Sequence, residues 1–231
     1  MAKVDLRVDW ATHEAAKYAC EHWHYSKSLP VGKLIKVGAW ERGKFIGVVL
    51  FGRGAAINIG SPFGLNQTEV CELVRVALTS HETPVSRILS IATRWAHRNN
   101  PGLRLIVSYA DTELGHHGGI YQACGWLYIG DSTNDRKYTV KGRIYHPKTL
   151  HSLYGKGGQS IPWLRQNIDP NASTFVTSGK RKYVMPLDNA MKAQIAPLAK
   201  PYPKRAKQAM SGDQSEQRQG STDPHAPKVR T

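Results

Sequence analysis

The stretch SYADTELGHHGGIYQACGWLYIG, residues 108–130, runs from one apolar segment to another through an aspartate, two adjacent histidines and a cluster of glycines. Its surroundings decide the fold. LRLIVSYAD (103–111) reads as a buried strand, GHHGGIYQACG (115–125) as a short helix after a glycine loop, and WLYIG (126–130) as another strand. Upstream, Ile88, Leu89, Ile91, Ala92, Trp95 and Ala96 form an apolar stripe at helical spacing. Thr83 or Ser80 can cap that helix, Pro84 fits its first turn, and NNPG (99–102) ends it. Helix, strand, helix, strand in succession predicts an α/β domain with a mixed sheet.

Working outward, residues 11–22 place Ala15, Tyr18, Ala19 and His22 at helical spacing, with Thr12 or Asp9 as a cap. Two apolar runs near 34–40 and 45–52, joined by ERGK, predict a hairpin turning at Gly43. In EVCELVRVALTS (69–80) strand alternation puts Val70, Glu72, Val74, Val76 and Leu78 on one face, and Cys71, Leu73, Arg75 and Ala77 on the other. Late strands are expected at 137–147 and 180–187, around a loop-rich insertion that holds YGKGGQS (154–160). One domain is expected over 1–188. From 189 to 231 the composition shifts to Pro, Gln, Ser and Lys, which predicts a basic, disordered tail. The longest apolar runs, such as GVVLF (47–51), are too short to span a bilayer, and no secretory pattern opens the chain. A soluble cytoplasmic protein with no membrane partner is expected. Cys20, Cys71 and Cys124 lie far apart, which favours buried free thiols over a disulfide framework.

The formal charge of +15 points to a polyanion. Lys27, Lys33, Lys36, Lys141, Arg143, Lys156, Lys180 and Arg181 are candidate phosphate contacts. Asp111 directly follows the 103–109 strand, and catalytic groups gather at the carboxyl ends of strands in open α/β sheets. The Tyr121 phenol is a better proton donor than base at neutral pH. His24 can take a proton or, with Asp111 and His116, bind a metal. His116 and His117 are adjacent and diverge, so one at most faces a pocket. A mid-strand guanidinium at Arg75 needs an anion. Glu72, expected on the opposite face, is a poor partner, whereas an acyl donor, a phosphate or Asp111 would serve.

Over residues 10–140 the element order resembles the acyl-CoA-dependent N-acetyltransferase superfamily, GNAT, which implies helices on both faces of a central mixed sheet. Such proteins hold the CoA pyrophosphate at a helix N-terminus after the central strand. Here RVALTSHETPVSR (75–87) has no glycine and Pro84 lacks a donor, which leaves Ser86 and Arg87 to meet an anion. A narrower resemblance rests on HYS (24–26), CELVRVAL (71–78), the 108–130 stretch, KGRIYH (141–146) and KRKYVMPL (180–187). These are similar to the bacteriophage Mom family of GNAT-related DNA modification proteins, over most of 20–187. The resemblance implies conversion of adenine in double-stranded DNA to an N6-carbamoylmethyl derivative that protects phage DNA from host restriction. It carries His24, Tyr25, Arg75, Asp111 and Tyr121 as family-type positions, and implies iron or an acyl-CoA-type donor as candidate cofactors. Such an enzyme must extrude its base, and Trp23, Tyr25 or Trp163 could stack on it. On this reading strand end, glycine loop and short helix line one pocket. The alternatives are an acetyl-CoA-dependent N-acyltransferase of a small molecule or protein, and a non-catalytic basic DNA-binding protein.

Overall fold

The computed structural model describes residues 4–53 and 58–204. In chain order the elements are β1 (Leu6–Trp10), α1 (His13–Trp23), β2 (Leu34–Glu41), β3 (Lys44–Gly52), β4 (Val70–Leu78), α2 (Val85–Asn99), β5 (Leu105–Ala110), α3 (Gly119–Ala123) and β6 (Leu127–Asp131). There follow β7 (Asp135–Val140), β8 (Arg143–Tyr145), α4 (Pro147–Tyr154), α5 (Ile161–Asn167), β9 (Ser173–Thr177), β10 (Arg181–Pro186) and α6 (Asn189–Ile195). The fold class is the expected one, a mixed α/β sheet in the GNAT-like order of helix, hairpin, central strand, helix, strand, helix, strand. Among the described residues no helix is long and apolar enough to cross a membrane.

The described residues group into two compact units. The first holds residues 4–53, 58–109, 118–129 and 182–204, and the second 110–117 and 130–181. The first is built on a seven-stranded sheet of order β1-β2-β3-β4-β5-β10-β6. Thr12 caps α1 by accepting the Ala15 amide, and the helix buries Ala15, Ala16, Ala19 and Cys20. Arg42 and Gly43 take positive φ values of 51° and 78° at the β2–β3 turn, the requirement of a tight hairpin. β3 and β4 pair antiparallel with a one-residue bulge: Leu50 faces Arg75 and Phe51 faces Leu73, so Val74 is the extra residue. β4 and β5 are parallel but pair only from Val70–Leu105 to Glu72–Val107, after which they part.

Three expectations change here. Thr83 does not cap α2; its amide and hydroxyl go to Glu41. The insertion expected to be loop-rich builds most of the second unit, a three-stranded antiparallel sheet of order β8-β7-β9 with α4 and α5. Its core is Tyr138, Val140, Leu150, Leu164 and Ala172. Both helices begin with a side-chain cap, His146 or Ser160, followed by proline in the first turn. Finally, residues 189–204, expected in the disordered tail, are ordered. Met191 and Ile195 of α6 are fully buried, and the Tyr202 hydroxyl donates to the Trp126 carbonyl. The rest of that expected tail, 205–231, lies outside the described residues.

Gly118 opens α3 at φ +84°, and a Cβ there would stand 2.3 Å from the ring of the buried Tyr183. Gly118→Ala therefore combines a disfavoured backbone with overpacking and should lower stability by about 3 kcal/mol or more, measured by urea denaturation.

Candidate functional site: a polar cleft between two apolar clusters

Leu34, Gly52, Glu72 and Val107 stand opposite one another in β2, β3, β4 and β5, so they share one face of the sheet. Leu34 packs on the α1 cluster of Ala16, Ala19, Cys20, Val48 and Leu50. Val107 belongs to a second cluster with Val70, Leu105, Val184, Met191 and Ile195. A carboxylate thus sits in the row between two apolar clusters, beside a glycine against which Leu34 and Val74 close. A cleft of about 530 Å³ opens there, lined by Gly52, Arg53, Glu72, Val74 and Arg75 and by the 30–34 loop. That volume suits a small ligand.

The bulge corrects the strand-alternation reading of Glu72 and Arg75. One extra residue shifts the parity of β4, so both side chains line the same cleft. The Arg75 guanidinium donates from Nη1 to the Val74 carbonyl at 2.7 Å, and its Nε is buried without a hydrogen-bond partner. It has no carboxylate partner among the described residues.

His24, 8% exposed, ends α1. Its Nδ1 lies 3.1 Å from the Ser26 amide and 2.8 Å from the Ser26 hydroxyl. A backbone amide only donates, so Nδ1 accepts and the neutral ring carries its hydrogen on Nε2. Tyr25 lies against this imidazole, ring centroids 4.1 Å apart, and is 59% exposed. Of the three stacking candidates it is the one presented to solvent. Trp23 packs against Phe45 and Tyr18, and Trp163 joins the core of the second unit. Lys27 takes φ +50° and donates from Nζ to the His22 carbonyl at 3.0 Å, which makes it a C-terminal cap of α1.

Tyr121, only 8% exposed, meets Ser108 where β4 and β5 part. The Ser108 hydroxyl lies 3.0 Å from the Leu73 carbonyl and 2.8 Å from the Tyr121 hydroxyl. It has one hydrogen, and a carbonyl can only accept it, so Tyr121 donates to Ser108. Burial pushes the Tyr121 phenol up to about 12, against a smaller opposing effect of the Ser108 bond. Tyr109 is also raised, first by burial and then by Glu72.

The turn before α2 holds an anion already. Glu41, 8% exposed, accepts the amides of Glu82 and Thr83 at 2.9 Å each and the Thr83 hydroxyl at 2.7 Å. Burial pushes its carboxyl up, yet these hydrogen bonds outweigh it and hold the group below the usual range. The Glu82 and Thr83 amides of this turn are therefore occupied by the chain itself. The Ser86 carbonyl accepts the Cys124 thiol, and the Arg87 amide turns to the Pro84 carbonyl. The carboxylate of Glu41 at this turn opposes a CoA pyrophosphate.

In the second unit Asp111 follows β5, accepts the Glu113 amide, and pairs with Lys180 at 3.1 Å. The His116 amide donates to the Asp111 carbonyl, and the His117 carbonyl accepts from Arg181. Lys141 turns the β7–β8 hairpin at φ +49°; Lys141, Arg143 and Lys156 are exposed. Lys33 lies on the cleft loop and Lys36 on β2, both in the first unit. The metal candidates divide between the units, His24 in the first and Asp111 and His116 in the second. Among the described residues no three His, Cys, Asp or Glu are grouped to hold an ion.

A phenol raised by burial stabilises the fold fully below pH about 10, and that stability is lost as pH climbs through about 12. The loss should amount to about 3 kcal/mol in the wild type and shrink in Tyr121→Phe, as read from denaturation midpoints between pH 9 and 12. Glu41→Ala strands three donors and should cost on the order of 2 kcal/mol. Calorimetric titration of the wild type with acetyl-CoA should give no heat of binding, and a 1:1 isotherm would refute the occupied-turn account.

A likeness to the AHL synthase LasI covers 55% of this chain and 81% of that one, at 12% identity and a TM-score of 0.37. The methylcarbamoylase Mom of Escherichia phage Mu is 27% identical over 167 residues, spanning 71% of this chain and 68% of the relative. The Mom protein family matches residues 5–204. The chain belongs to the Mom protein family.

Proposed function

We propose that the protein is a DNA modification enzyme that converts adenine in duplex DNA to N6-carbamoylmethyladenine and so shields phage DNA from host restriction. The observation that carries this reading is family membership across residues 5–204, together with a relative named a methylcarbamoylase. A charge of +15 supports duplex DNA as the partner. Lys33, Lys36, Lys141, Arg143, Lys156, Lys180 and Arg181 neutralise phosphates. Lys27 contributes less, because its ammonium already caps α1.

An enzyme acting on N6 must take adenine out of the stack, and exposed Tyr25 is suited to stack on it. His24 acts through its Nε2 hydrogen, donating to charge that develops in the transition state. Arg75 balances the leaving group's negative charge. Tyr121, whose proton is committed to Ser108, positions the parted strands. Asp111, half-buried at the end of β5, is the candidate proton acceptor. The internal carboxylate at the α2 turn weighs against the acetyl-CoA-dependent alternative.

Nucleosides of DNA from cells expressing the protein should contain carbamoylmethyl-deoxyadenosine by mass spectrometry. Asp111→Asn should lower its yield on the order of a hundredfold or more. Unmodified deoxyadenosine alongside abundant folded protein refutes the function, and full activity in Asp111→Asn refutes the role of that carboxylate.

A further inference from the structure

We propose that the cleft between the 30–34 loop and the β4 bulge receives the extruded adenine itself, with Glu72 accepting a hydrogen of its 6-amino group and Arg75 donating to its ring nitrogen N1. The proposal names the substrate pocket of the function proposed above and rests on that reading.

A flipped base is read along its Watson–Crick edge, where adenine presents an amine donor next to a ring-nitrogen acceptor. An ionised carboxylate only accepts and a guanidinium only donates. Glu72 and Arg75 line one cleft because the bulge at Val74 brings them to the same side. They therefore offer the complement of adenine's pattern. Guanine presents the reverse, a carbonyl acceptor next to a ring N–H donor, and would set like against like at both positions. Arg75 spends one hydrogen bond on the Val74 carbonyl and has no carboxylate partner among the described residues, so a half-buried cation in this wall still needs an acceptor. Leu34 and Val74 offer apolar wall to the ring. The volume of about 530 Å³ accommodates a nucleoside.

As N6 bonds to the methylene carbon of an electrophilic carbamoylmethyl donor, that carbon's bond to the leaving group breaks with its electron pair, and one N6 proton passes to the acceptor named above while Glu72 orients the amine through its other hydrogen.

Saturation-transfer NMR on the full chain tests the pocket with 2′-deoxyadenosine and with purine 2′-deoxyriboside, which lacks the amine. The wild type should favour deoxyadenosine on the order of tenfold. Glu72→Met should bring the two nucleosides level and Glu72→Asp retain part of the preference, while Arg75→Met, which removes an N1 contact that both nucleosides make, should weaken both alike. In DNA from expressing cells, Glu72→Met should lower the modified nucleoside on the order of a hundredfold, with its circular dichroism and its affinity for bulk duplex unchanged. If Glu72→Met does not fold, Arg75→Met and Glu72→Asp decide the matter. Equal transfer to both nucleosides by the wild type, transfer to neither, or wild-type modification by folded Glu72→Met overturns the proposal. A wild type that prefers deoxyadenosine yet leaves DNA unmodified overturns the proposed function and upholds the pocket.

Discussion

The Ser108 hydroxyl donates to the Leu73 carbonyl at the point where two parallel strands stop pairing. Buried backbone groups cannot be left without partners, so strands that separate inside a sheet need substitutes. Here the substitute is a serine, and the serine is held by a tyrosine hydroxyl 2.8 Å away. The chain Tyr121 to Ser108 to Leu73 has one hydrogen per link and runs in one direction only. It fixes β4 just before the extra residue at Val74, so the parting of the strands and the bulge occur together. The bulge in turn sets which side chains the cleft receives.

That dependence explains what the sequence could and could not disclose. The Thr12 cap, the positive-φ turn at Gly43, the stripe of α2 and the strand, loop, helix and strand of 103–130 follow from signals a few residues apart, and all were legible. The pairing of Glu72 with Arg75 was not, because alternation assumes an unbroken period of two and nothing in VCELVRVAL marks an inserted residue. Glu41 and Thr83 lie 42 positions apart, so a helix start satisfied by a distant carboxylate looked like a local cap. Residues 189–204 misled by composition: α6 needs only Met191 and Ile195 to reach the core, too few apolar groups to stand out in a polar segment. The prolines at 147 and 162 are helix-start signals that glycines 155, 157 and 158 between them obscure. Of the candidate site residues, His24 and Tyr25 do lie together, whereas the Lys27 side chain is claimed by its own helix end.

The carboxylate at the α2 turn bears on the choice of donor by a competition argument. Glu41 is tethered to the fold, so its three hydrogen bonds form without the loss of translational freedom that an incoming pyrophosphate must bear. To bind there, the ligand would have to expel a buried charge and leave it without those bonds, at a cost of several kcal/mol. Pro84 contributes no amide to compensate. Part of the anion-binding capacity of this turn has thus become structural.

The apolar clusters on either side of Glu72 give the cleft its chemical character. Between Leu34 and Val107 a carboxylate is partly withdrawn from water, where hydrogen bonds to charged groups strengthen because the surroundings screen them less. The same withdrawal makes an unmatched partner expensive, which is how a small pocket discriminates strongly by hydrogen-bond pattern while apolar contact alone discriminates weakly. Arg75 carries the opposite sign in the same wall, so any ring entering the cleft is sorted by the order of its donors and acceptors before its size matters. One inserted residue in β4 is thus enough to convert a strand of alternating character into a reading head with two poles.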